Sequence, residues 1–135
     1  MKSVSIRSIA TQILCLAIAG LFISTAQARH EGEHTTTVFQ GKAVNGGTAR
    51  HVRENGKSIL RLSDDFQIPG SPDPHWQVVD SKGVVYRLQA LKVKEGLSNR
   101  EIELPKFVSN VVKVQIWCAF AEVLLGEASF SRPVK

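Results

Sequence analysis

The chain has 135 residues with 17 basic and 12 acidic side chains, a formal net charge of +5, and two cysteines, Cys15 and Cys118. That length admits one domain. Charges of both signs interleave, which excludes the contiguous basic footprint of a nucleic-acid-binding protein, and two cysteines far apart in sequence exclude a Cys-x-x-Cys dithiol site or a cysteine-ligated cluster.

At the N-terminus, Lys2 and Arg7 precede the apolar run Ile9 to Ile23, and Ala26-Gln-Ala28 supplies a small-x-small pattern. This is the form of a signal peptide over residues 1–28, cleaved after Ala28. The run is shorter than the roughly 20 residues of a spanning helix, so no membrane span is expected after cleavage. Gln12, Ile13 and Leu14 do not suit lipid attachment at Cys15. The mature chain is expected in an exported compartment, periplasmic or extracellular. Removing 28 residues leaves 107, with 15 basic and 12 acidic side chains. Cys118 is then the lone thiol and cannot form an internal disulfide, which leaves an inert thiol, a reactive thiol, a ligand, or half of an intermolecular bridge.

Residues 29–35 read as a flexible polar arm. His30-Glu-Gly-Glu-His34 has the letters of a zinc-protease helix, but Gly32 interrupts it, no apolar face accompanies it, and Thr35-Thr-Thr37 follows. Adventitious metal capture by His30, His34 and the new amino terminus fits better, and no structural metal site is expected.

From Val38 onward, short strands alternate with turns. Asn45-Gly-Gly47 is one turn. Asn55-Gly56 is a two-residue hairpin that places Glu54 opposite Lys57, Val52 opposite Ile59 and His51 opposite Leu60. His51 thereby shares a face with Ala49, Leu60 and Leu62, where a hydrogen-bonded or rim histidine is expected rather than a ligand. Pro69 to Pro74 forms a rigid loop. Asp73, between two prolines, is either a turn cap or part of a site beside His75 and Trp76. A second hairpin surrounds Ser81-Lys-Gly83. Ala90 to Lys94 reads as an edge strand with alternating lysines, and Arg100 to Leu104 as a strand ended by Pro105.

Val111 to Cys118 is the most apolar strand and is expected centrally. Its alternation places Val112, Val114, Ile116 and Cys118 in the core, with Phe120 beside the sulfur. After a bend, Leu124, Gly126, Ala128 and Phe130 resume one face. No stretch of the mature chain shows helical spacing, and turns recur every ~8 to 12 residues. The expected fold is a single all-β antiparallel sandwich or barrel-like domain of roughly eight or nine short strands. It spans residues 36–131, with 132–135 a tail.

The run Val114-Gln-Ile-Trp-Cys-Ala-Phe120, followed by Leu125-Gly-Glu-Ala-Ser-Phe130, resembles the C-terminal signature of the DM-thirteen domain, an electron-transfer domain of secreted proteins. Phe39-x-Gly41, Gly46, Gly56-Lys-Ser-Ile-Leu-Arg-Leu62, Phe66, Ser71-Pro-Asp73 and Gly83 fit in the same order, so the resemblance covers residues 36–131. It implies a redox role for Cys118.

Two functions of different classes follow. In the first, Cys118 acts as a redox thiol or cofactor ligand, supported by Asp73, His75 and Trp117 near the strand end, toward a redox partner protein or a membrane electron-transfer component. The second is a secreted binding module that uses loop aromatics, with Cys118 structural among Val112, Val114, Ile116 and Phe120. No motif identifies the cofactor. No nucleophile elbow or paired carboxylates indicate a catalytic centre, so independent enzymatic activity is not expected.

Overall fold

Asn55 and Gly56 adopt φ of 50° and 75°, the left-handed conformations that a two-residue hairpin turn requires. The strands on either side, β2 (Ala49–Glu54) and β3 (Lys57–Leu62), pair in the register the turn dictates: Glu54 with Lys57, Val52 with Ile59, His51 with Leu60. The computed structural model describes residues 34–135. The leader over 1–28, with Cys15 and the cleavage site, and arm residues 29–33, with His30, lie outside the described residues.

Two four-stranded antiparallel sheets make the domain. One has the order β1-β2-β3-β6, where β1 is His34–Thr35 and β6 is Glu101–Glu103. The other has the order β5-β4-β7-β8, with β4 Pro74–Asp80, β5 Val85–Ala90, β7 Val111–Cys118 and β8 Val123–Val134. Among the described residues there is no α-helix, only a 3-10 turn at Lys94–Gly96. The fold is therefore all-β and antiparallel as expected, a sandwich rather than a barrel, with eight strands among the described residues, and β7 lies between β4 and β8 as its apolar content predicts.

Both sheets turn an apolar face inward. Ala49, Leu60 and Leu62 from the first and Trp76, Val78, Val114, Ile116 and Phe130 from the second share one core with Phe39 and Phe66. Each large apolar side chain so buried stabilises the fold by about 1.5–3 kcal/mol. The connector from Thr36 to Val44 runs along β8, where Gln40 and Glu127 exchange backbone hydrogen bonds of 3.0 and 2.9 Å. This covers a sheet edge that would otherwise present unpaired amides. Only glycines allow such an approach: a Cβ on Gly41 would lie 2.3 Å from Gly126 Cα.

Five local expectations are corrected. The inward alternation of β7 begins at Val111 and not Val112, because a bulge between Val111 and Lys113 shifts the register. A second bulge opposite Ile116 and Trp117 turns Leu125 inward in place of Leu124. Ala90 ends β5, and Leu91 to Val93 is a loop leading into the 3-10 turn at Lys94–Gly96 rather than a strand, since Glu95 and Gly96 adopt φ of 64° and 76° and reverse the chain. At the ends of the domain, His34–Thr35 of the expected arm pairs with Arg50 and His51, and the expected tail from Arg132 to Val134 belongs to β8, with Val134 buried opposite Val111.

Candidate functional site

Strand parity carries Cys118 to the core face at the last position of β7, directly opposite Pro74 of β4. The residue is 0% exposed. The chain then bends sharply through Ala119 to Glu122, where Glu122 takes a left-handed φ of 50°. That reversal aims the Ala121 N–H at the sulfur, 3.4 Å from Sγ. Ala119 N–H donates to the Asp73 carbonyl at 2.9 Å, so the proline-rich loop is fastened across the strand end.

The same loop delivers Ser71. Its hydroxyl is the strongest influence on the thiol, holding it below its ordinary range, and the Ala121 N–H adds to this. Burial opposes both, and backbone N–H groups of Asp73 and Phe120 contribute further lowering. Ser71 Oγ is buried and makes no hydrogen bond of ordinary geometry, whereas the Ala121 N–H does reach the sulfur at such geometry. A hydroxyl with no competing acceptor is free to turn to a thiolate once one forms.

Asp73, His75 and Trp117 gather at the same strand end but on the opposite face of the sheet. His75 pairs across strands with Trp117, and both point away from the core. His75 Nε2 lies 3.0 Å from Asp73 Oδ1, and Nδ1 lies 3.0 Å from the Leu88 carbonyl, which accepts. Neither ring nitrogen is turned to the sulfur. An imidazole beside Cys118 is thus replaced by a hydroxyl and main-chain amides, because adjacent positions on a strand face opposite ways. Trp76, by contrast, is fully buried and donates from Nε1 to the Asn99 carbonyl at 2.7 Å. His51 is 2% exposed and hydrogen-bonded to Ser58 Oγ at 2.6 Å, as its place in the hairpin predicts.

Phe120 is 80% exposed and not part of the sulfur's enclosure, a second correction to the expected surroundings. The turn that brings Ala121 to the sulfur sends Phe120 outward. Leu97 at 66% and Val93 at 45% exposure lie on the loop after β5, which begins at this same end, where Leu91 N–H donates to the Pro74 carbonyl. Lys92 Nζ donates to the Ser71 carbonyl at 2.7 Å and lines a groove of about 360 Å³ with Ile68 and Leu97.

A thiol held by donors can ionise, and among the described residues there is no second thiol for it to pair with. Nor do three or more His, Cys, Asp or Glu side chains converge among the described residues to hold a metal ion. Ser71 and the Ala121 amide were not singled out as site residues by the sequence. The only signal for Ser71 was its place in the Ser71-Pro-Asp73 run; for Ala121, which acts through its backbone, there was none. No family model, curated protein or solved structure matches this chain.

Proposed function

We propose that this is an exported β domain of the DM-thirteen type, with a redox or electron-transfer role centred on the Cys118 thiol. The observation that carries the reading is the set of donors around the sulfur. A cysteine that merely fills space needs neither the Ala121 N–H nor the Ser71 hydroxyl, and both favour the thiolate, the oxidisable form. The resemblance of residues 36–131 supports the same assignment. In this reading the thiolate passes one electron to an oxidised redox partner protein or membrane electron-transfer component, becoming a thiyl radical that an electron from a reduced partner restores, and the partner approaches the end of the sandwich where Phe120 and Leu97 are exposed.

A second reading is favoured by one observation, the complete enclosure of Cys118. On that reading the protein is a secreted binding module that presents Phe120, Leu97 and Val93 to a partner. Titrating the native protein with a colorimetric thiol reagent across pH, beside an absorbance scan for a chromophore, separates the two. The redox assignment expects reaction in the folded state with an ionisation midpoint below that of an ordinary thiol. Reaction only on unfolding, from a protein without a chromophore, would overturn it in favour of the binding module.

A further inference from the structure

The end of the sandwich opposite Cys118 holds a groove of about 540 Å³, within the range of small-molecule sites. It opens between the Asn55-Gly56 hairpin and the segment after β6. Arg53, Lys57, Lys106 and Lys135 line it against a single side-chain carboxylate, Glu103. Lys57 Nζ lies 2.8 Å from Glu103 Oε2, and Arg53 Nη1 donates to the Lys135 main-chain oxygen at 3.0 Å. Among the described residues Lys106 makes no ion pair, so its ammonium is available at the mouth.

The wall has a different chemistry. Leu104 and Val108 line the groove with little of their surface exposed, and the half-buried Pro105 stands between them in sequence. Ser58 adds one neutral hydroxyl, held in place by the buried His51 at 2.6 Å. Basic side chains, aliphatic residues and a hydroxyl lining one groove are complementary to a molecule with an anionic head and an apolar body. A small hydrophilic anion such as phosphate would leave the apolar wall unused. We propose that this groove binds an amphipathic organic anion, a carboxylate or sulfonate on a hydrocarbon or aromatic body, with its head at Lys106 and its body against Leu104, Pro105 and Val108. This site is separate from Cys118 and does not depend on the redox assignment.

The test uses anilinonaphthalene sulfonate as a fluorescent probe of the folded protein, with octanoate and inorganic phosphate as competitors. The expected result is saturable fluorescence displaced by octanoate and not by phosphate at equal concentration. Lys106→Glu should weaken binding at least about tenfold, since it turns attraction at the mouth into repulsion. Lys42→Glu makes the same charge change on the connector beside the start of β8 and should leave affinity within about twofold. Absence of saturable binding would overturn the proposal. So would equal competition by phosphate, or equal weakening by the two substitutions, which would reduce the effect to net charge.

Discussion

At Cys118, burial penalises the thiolate while the Ser71 hydroxyl and the Ala121 N–H favour it, and the donors prevail. Ser71→Ala removes the largest of these influences, so the thiol ionisation midpoint should rise toward the ordinary 9.0. Ultraviolet thiolate absorbance recorded against pH checks this, and an unchanged midpoint would show that the backbone amides alone set it. The same shift links to stability. The folded state holds the acid form's proton less tightly than the unfolded state, so the thiolate's contribution is fully present above 9.0 and is lost as pH falls through the lowered folded value. Between those two points, the stability difference between the parent protein and Cys118→Ala should grow with pH, measured by denaturant midpoints at each pH. A difference flat across that interval would mean that the folded thiol ionises like an unfolded one.

At the scale of strands and turns, two glycine substitutions separate backbone strain from steric exclusion. Gly56 has φ of 75° and open space around it, so Gly56→Ala meets only the left-handed penalty, about 1–2 kcal/mol. Gly41 has its close neighbours in backbone, Gly126 Cα and Leu125 O, both 2.3 Å from an added Cβ. Backbone cannot rotate aside as a side chain can, so Gly41→Ala must lift the connector from β8, with a cost of at least about 1–3 kcal/mol. Urea midpoints should therefore fall further for Gly41→Ala than for Gly56→Ala. The reverse order would mean that the connector is not seated on β8.

Across the whole molecule, carboxylates in distant parts of the sandwich are held ionised. Asp80 accepts from the Val84 and Lys82 amides and from Tyr86, Glu54 from Arg61, and Glu127 from Lys113 and Gln115; each lies below its ordinary value of 3.8 or 4.5. A folded value below the unfolded one gives stability that is complete above the unfolded pKa and disappears as pH falls through the folded one. Thermal midpoints should be level above about pH 5 with respect to these groups and fall as pH drops below 4.5. Added salt should reduce the share from exposed Glu54 most. A melting temperature that rose on acidification would contradict these contacts.

Local chemistry alone determined the hairpins of this protein. Asn-Gly suits left-handed φ at adjacent positions, which few other residue pairs tolerate, so the register from Glu54–Lys57 to His51–Leu60 is legible in the amino-acid sequence by itself. The period of two in Val114, Ile116 and Cys118 likewise specified which face is buried, and with the turn rhythm it specified an all-β fold, leaving sandwich or barrel to the tertiary structure. Tertiary structure decided what periodicity cannot encode. A bulge inserts one residue on one strand and flips every side chain before it, so Val111 replaced Val112 and Leu125 replaced Leu124 in the core. The thiol's surroundings were decided the same way: Ser71 lies 47 positions before Cys118 and reaches it only because β4 pairs with β7, while His75, nearer in sequence and chemically more suggestive, falls on the other face of the same sheet. Parity along one strand is local, but which loop closes over its end depends on which strands are neighbours, and that is settled by packing the whole chain around one core.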